Sequence, residues 1–292
     1  MTSRSTAERR FAVWELKQLS EDEYDRFRAF IYRETGIAVP DGKVTLLSNR
    51  VRRRLRALGL DSFDEYYRLL SSRSLPGEVE KFIDAVTTNE TSFFRTPAHF
   101  DWFAGPFIDA ILARRAAAGT PPTVRVWSAA CSTGEEPYSL AICLAESGRR
   151  LAGWRCEILG TDISETVLDV ARRAAYGPRS LEGVAADRLE RHFAAGVPAG
   201  GEPGTWTVLP DVARTCTFRR HNLMEPVTGG PFDCIFLRNV LIYFDRRSKD
   251  TVVRNLVDAL RPGGYLVIGP TEGIHDMLGP LEKRTNFLYQ KP

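Results

Sequence analysis

The stretch Ser128-Ala129-Ala130-Cys131-Ser132-Thr133-Gly134-Glu135-Glu136-Pro137 joins an apolar run to a helical pattern through small residues that let a ligand approach the backbone. Pro137 suits the first turn of that helix, where a missing N–H is not felt, and the helix start offers free N–H groups. The loop is not G-x-G-x-x-G and lacks the lysine of a P-loop, while Glu135 and Glu136 stand where a phosphate would be repelled. A cationic or hydroxyl-rich ligand fits better than a nucleoside triphosphate. The next apolar run ends in Gly160-Thr161-Asp162. An acid at the tip of a second strand accepts the hydroxyls of a ribose; Asp162 could equally cap the helix opening at Ile163-Ser164. Loop and aspartate together suit an adenosine-containing ligand without a pyrophosphate. S-adenosylmethionine, with its ribose hydroxyls, ammonium and sulfonium, is such a ligand.

The elements that must position these residues alternate in type. Val124 to Ser128 reads as a strand, Tyr138 to Glu146 as a helix, Arg155 to Thr161 as a strand and Glu165 to Ala175 as a helix. That alternation marks βαβ units on a parallel sheet, where ligands bind at the C-terminal ends of the strands. Strands follow at Cys234 to Arg238 and Tyr265 to Ile268, with a helix over Arg247 to Leu260 between them and a closing strand over Asn286 to Gln290. Between Gly177 and Arg220 lies a Gly/Pro-punctuated insertion. Within it Thr205 to Leu209 and Val212 to Arg219 alternate like a small hairpin around Pro210-Asp211.

Upstream, strand signals nearly vanish. Ser20 caps a helix over Glu21 to Glu34 that Gly36 ends; further helices run from about Lys43 to Leu58, from Phe63, and over Glu78 to Thr87. A linking helix covers about His99 to Ala118. The texture changes near residues 90 to 100, which divides the chain into a small all-α domain (11–90) and an α/β domain (91–292) with an insertion at about 177–220.

Composition narrows the classes without choosing among them. With 292 residues, 43% of them hydrophobic and 26% charged, the chain can bury a sizeable core, which excludes disordered and fibrous classes. A formal charge of +3 is too small to mark a nucleic-acid binder as a whole. The longest apolar runs fall short of a bilayer span and Met1 to Arg10 lacks an apolar signal region, so the protein is expected to be cytoplasmic. Five cysteines, an odd number without CxxC spacing, read as reduced core thiols rather than disulfide or metal ligands.

Several longer stretches carry a family resemblance. They are Thr87-Thr88-Asn89-Glu90-Thr91-Ser92-Phe93-Phe94-Arg95, the segment Arg125 to Ser139 containing the small-residue loop, Thr161-Asp162-Ile163-Ser164, His221-Asn222-Leu223, and Arg238-Asn239-Val240-Leu241-Ile242-Tyr243-Phe244. In this order and over nearly the whole chain, the sequence resembles the chemotaxis receptor glutamate methyltransferases (CheR). The resemblance implies an α/β, Rossmann-like class I methyltransferase domain with a mostly parallel sheet and a small inserted antiparallel β-subdomain, preceded by an all-α domain. It also implies methyl transfer from S-adenosylmethionine, with S-adenosylhomocysteine as product, to glutamates of methyl-accepting receptors.

Carried over residue by residue, it implies a cofactor shell of Asn89, Thr91, Arg95, Glu135, Asp162, Asn222, Leu223, Asn239 and Val240, with Arg95 and Tyr243 orienting the substrate and no metal. Asn222 and Asn239 could also be loop residues bonding the backbone; Phe93, Phe94 and Trp127 read as packing residues. The arginines Arg50, Arg52, Arg53, Arg54 and Arg56 can form a solvated helix face. By the resemblance they would dock on acidic residues of the receptor's cytoplasmic helical domain. Nucleic acid is a weaker reading because no aromatic platform accompanies them. A monomer without membrane insertion is expected. Gly269-Pro270-Thr271-Glu272 departs from the family's frequent Gly-His-Ser-Glu, which bears on substrate preference more than on the reaction. Two rivals stay open: a methyltransferase acting on another protein or a small molecule, and a non-catalytic S-adenosylmethionine-binding regulator.

Overall fold

A computed structural model of the protein describes residues 18–115, 122–196 and 204–292. These divide into two compact units. One comprises the chain to Thr88 together with Tyr243–Ser248; the other comprises Asn89–Ile242 and Lys249–Pro292.

The first unit is helical, with α1 (Glu21–Thr35), α2 (Val44–Leu58), α3 (Phe63–Ser72) and α4 (Glu78–Val86). Local chemistry sets their ends. Ser20 and Glu23 form a capping box on α1, Ser62 caps α3 through Glu65 N, and Gly36 and Gly59 close α1 and α2 in the left-handed conformation. The apolar faces meet in an aromatic core where Phe27, Tyr66 and Phe82 lie with ring centroids 5.8 to 6.2 Å apart. Residues 243–248 join this unit through backbone pairing: Ala38 N donates to Tyr243 O at 2.9 Å and Ile37 bridges Phe244.

The second unit is a seven-stranded sheet with helices packed against it. Its strands are β1 (Thr123–Ala129), β2 (Arg155–Asp162), β6 (Cys216–Arg220), β7 (Phe232–Leu237), β8 (Leu260–Ile268), β9 (Glu282–Lys283) and β10 (Leu288–Gln290), while β3 (Ala175–Tyr176), β4 (Phe193–Ala195) and β5 (Trp206–Val208) form a separate antiparallel sheet. The large sheet runs β6-β2-β1-β7-β8-β10-β9, parallel except where β10 pairs antiparallel with β8 and β9. Helices α5 (Pro97–Trp102) and α6 (Ile108–Arg115) precede β1, and α7 (Glu135–Glu146), α8 (Glu165–Arg173) and α9 (Arg246–Ala259) lie between strands. Between α5 and α6 the chain takes a π turn over Phe103–Phe107, where Pro106 has no N–H to give to an α-helical ladder. Among the described residues no helix is long and apolar enough to cross a membrane.

The architecture is the mostly parallel α/β fold with a small antiparallel sheet that the motif order implied, but the insertion needs correction. Cys216–Arg220 is not the second arm of a hairpin; it pairs in parallel with Ile158–Asp162 as the edge strand of the large sheet. Pro210 opens a helical turn, Pro210–Ala213, that carries the chain from the small sheet to the large one. The small sheet therefore spans Ala175 to Val208, with β5 between β3 and β4. The linking helix ends at Arg115 among the described residues; its expected extension to Ala118 lies outside them, as do residues 11–17 of the helical domain.

Candidate active site

The register of the parallel strands brings their C-terminal ends to one edge. Ala129 lies opposite Thr161 on β2 and Leu237 on β7, Asp162 lies opposite Arg220 on β6, and Leu237 lies opposite Ile268 on β8. The segments after these positions are those singled out in the sequence.

The loop after β1 is tightly folded. Ala130, Ser132 and Gly134 all have positive φ, at 59°, 51° and 94°. Only glycine fits at 134: a Cβ there would lie 2.8 Å from Ala171 Cβ and 2.9 Å from the Tyr176 hydroxyl. The hydroxyl of Tyr176 donates to Thr133 O at 2.7 Å and Cys131 N donates to Thr161 O at 2.8 Å.

Asp162 is buried at the end of β2. Its Oδ2 accepts from Ser132 N at 2.9 Å and its Oδ1 from Ser164 N at 3.0 Å, so it ties the loop to the strand end while Ser164 itself caps α8. Glu135 is buried and accepts from Thr133 Oγ1 at 2.6 Å and Ser180 Oγ at 3.1 Å; burial pushes its carboxyl above the usual range against those donors.

The remaining cofactor candidates have these surroundings. Asn89 O accepts from Ser132 Oγ at 2.9 Å, and Thr91 is half-buried two residues on. Arg95 is exposed and donates to Glu90 O at 3.0 Å. Asn222 Oδ1 accepts from Met224 N at 3.1 Å, and the carbonyl of buried Leu223 accepts from Asn255 at 3.0 Å. Asn239 and Val240 follow β7, the former in the left-handed conformation at φ 60°. Tyr243 groups with the helical unit and its side chain is exposed.

Two charged residues without an assigned role hold this edge together. Arg238, at the end of β7, is buried. It donates to Glu136 at 3.0 Å, to Thr96 Oγ1 at 2.9 Å and to Arg95 O, and lies over the Phe100 ring. Glu136 also accepts from Ser128 Oγ at 2.7 Å. The signal in the sequence was an arginine directly after the apolar run Phe232-Asp233-Cys234-Ile235-Phe236-Leu237, a position that a parallel strand buries.

The arginine helix is more structural than its composition suggested. Arg54 forms a two-bond pair with buried Glu78 at 2.9 and 2.8 Å, which raises its pKa; Arg50 donates to Val86 O and, at 2.9 Å, to Thr88 Oγ1. Arg54 and Arg50 thus make internal contacts within the helical unit. Arg53 and Arg56 are exposed, and half-buried Arg52 donates to Asn49 at 2.9 Å.

The donor set suits S-adenosylmethionine. The acids Glu135 and Asp162 match its cationic groups and ribose, and the loop from Ser128 to Gly134 holds no lysine or arginine for a phosphate.

Residues 89–286 match the family model described as the CheR methyltransferase SAM binding domain, and residues 22–87 the CheR methyltransferase all-alpha domain. The chain is 37% identical over 273 residues to a chemotaxis protein methyltransferase of Salmonella typhimurium, covering 93% of this chain and 90% of that protein. It is 39% identical over 256 residues to one from Escherichia coli, with 87% and 85% covered, and 38% identical over 257 residues to chemotaxis protein methyltransferase 2 of Pseudomonas aeruginosa, with 87% of each covered.

Proposed function

The chain belongs to the CheR methyltransferase family, and from that premise we propose that it forms methyl esters on specific glutamates of methyl-accepting chemotaxis receptors. It is an S-adenosylmethionine-dependent methyltransferase of the chemotaxis system. The observation that carries the substrate reading is the likeness to chemotaxis protein methyltransferases across 93% of the chain. The strand-end acids and the small-residue loop supply the cofactor side of the argument.

Bound at that edge, S-adenosylmethionine supplies an electrophilic methyl group on a sulfonium. The protein's own task is correspondingly limited. A glutamate side chain has a reference pKa of about 4.3, so the nucleophile is ionised at neutral pH and no general base is required. The carboxylate oxygen forms the new bond to carbon as the carbon–sulfur bond breaks, its electron pair staying on sulfur, and two opposite charges disappear. What remains is positioning and exclusion of water, which stabilises separated charges more than the transition state. Asp162 and Glu135 hold the cofactor's polar groups, and Arg238 fixes the Arg95 carbonyl and the Thr96 side chain. Arg95 and Tyr243 are proposed as orienting groups, the one by a charge-assisted bond and the other through its hydroxyl. On the receptor side, Arg53 and Arg56 are the arginines of α2 best exposed to meet acidic residues, and the reaction is placed in the cytoplasm.

One assay tests the reading. Methyl-labelled cofactor is incubated with the protein and receptor-containing membranes, and the product is treated with mild alkali. Volatile methanol is expected from a glutamyl ester; alkali-stable label would assign N- or S-methylation, and cofactor binding without transfer would make the protein a regulator. Reversing Arg53 and Arg56 to glutamate should lower receptor methylation while leaving cofactor affinity unchanged; unaltered methylation removes the docking role.

A further inference from the structure

The turn after β7 is shaped by a side chain from a different loop. Glu272, four residues beyond β8, has 0% of its surface exposed. Its carboxylate accepts from the backbone N–H groups of three successive residues: Asn239 on Oε1, and Val240 and Leu241 on Oε2 at 3.3 and 2.8 Å. Successive N–H groups converging on one anion form a concavity that suits negative charge. Lys249 donates to the Glu272 carbonyl at 2.8 Å. Burial pushes the carboxyl above its usual range, while the three N–H donors and the Lys249 charge pull it back down.

Two features show that the surroundings are built around the Glu272 side chain. Asn239 holds φ at 60°, a conformation a non-glycine residue keeps only when its surroundings determine it, and its N–H is one of the three donors. At Gly269 a Cβ would overlap Glu272 Oε1 and lie 3.1 Å from Asn239 N, so the absent side chain makes room for the carboxylate.

We propose that Glu272 is a positioning residue for the cofactor: by gathering the N–H groups of Asn239, Val240 and Leu241 it sets the course of the turn that carries Asn239 and Val240. The inference rests on the reading that this turn belongs to the S-adenosylmethionine shell. Glu272 contributes no atom to the transfer. Glutamine is the informative replacement, because it keeps the shape but places an NH2 donor against N–H donors.

Calorimetric titration of the full chain with S-adenosylhomocysteine tests it, using wild type, Glu272→Gln, Gly269→Ala and, as a control for lost stability, Ser20→Ala. Both Glu272→Gln and Gly269→Ala should raise Kd at least about tenfold with a binding stoichiometry near one. Lost stability alone would at most lower the stoichiometry and would leave the Kd of the folded fraction unchanged; Ser20→Ala should keep the wild-type Kd. A wild-type Kd in either folded variant overturns the proposal. If Glu272→Gln does not fold, Gly269→Ala decides, since it keeps the carboxylate and only displaces it. A wild-type chain that fails to bind S-adenosylhomocysteine would instead overturn the cofactor reading, and this inference with it.

Discussion

The helical unit and the α/β unit reach left-handed backbone by different means. In the helical unit it falls mostly on glycines at helix ends: Gly36 at φ 75°, Gly59 at 69° and Gly77 at 76°, with Arg73 the exception. Around the strand ends of the α/β unit it falls not only on Gly134 but also on the non-glycine residues Phe94, Thr96, Ala130, Ser132 and Asn239, the latter five with φ between 50° and 65°. Polar groups distant in sequence stand at most of these positions. Ser139 Oγ accepts from Phe94 N, Arg238 bonds Thr96, Asp162 bonds Ser132, and Glu272 bonds Asn239. The first unit shapes its backbone with local chemistry; the second holds strained backbone with polar bonds from residues distant in sequence, around the strand ends where the ligand is proposed to bind.

The largest way to break this contrast is to remove Arg238. Arg238→Met keeps an apolar stem but strips Glu136, whose side chain is 12% exposed, of its cation, and leaves Thr96 Oγ1 without that donor. Urea denaturation should show a loss of about 3–5 kcal/mol, against no more than about 0.5 kcal/mol for Arg53→Met in α2. Equal losses would abolish the distinction between buried and solvated arginines.

Acid should sharpen it next, because all four histidines lie in the α/β unit. His99 stacks on Phe287 with centroids 4.3 Å apart, and burial, helped by Arg238, lowers its pKa from 6.5 to about 4. A depressed folded-state value means the unfolded chain binds the proton first, so stability falls as pH drops from 6.5 toward 4. The expected loss is about 2 kcal/mol at pH 5 relative to pH 7. His99→Phe should flatten that part of the stability–pH curve; an unchanged slope would assign the acid sensitivity elsewhere.

The smallest effect belongs to local chemistry. Ser20→Ala removes half of the capping box, in which Glu23 N donates to Ser20 Oγ at 3.3 Å and Ser20 N to Glu23 at 2.9 Å. It should destabilise the chain by about 1 kcal/mol in thermal or urea unfolding. A loss as large as that of Arg238→Met would mean that the helical unit also depends on contacts beyond its own turns.

Much of this was legible before any coordinates. Ser20, Ser62, Gly36 and Gly59 announce helix ends because capping involves residues within four positions of one another. The runs Val124 to Ser128 and Cys234 to Arg238 announce buried parallel strands by their apolar composition. Alternation over Val212 to Arg219 marked a strand but not its partner, so β6 was read into the wrong sheet; pairing depends on register with Ile158–Asp162, more than fifty positions away. The arginines of α2 look alike in sequence, and only the positions of Glu78 and Val86 separate Arg54 and Arg50 from exposed Arg53 and Arg56. Glu272 drew notice as part of a departing motif, with nothing local to reveal its three backbone donors.

By itself, then, the sequence determined the two kinds of architecture, the loop and acid that suit an adenosine-containing ligand, and the family, since these rest on periodicity, neighbouring residues and uninterrupted motifs. Only the tertiary structure decided which charges face solvent and which hold backbone, where the edge strand joins, and why Asn239 and Ser132 keep their conformations. Those outcomes depend on bonds between residues 30 or more positions apart, and the desolvation that makes such bonds matter does not exist until the chain has folded around them.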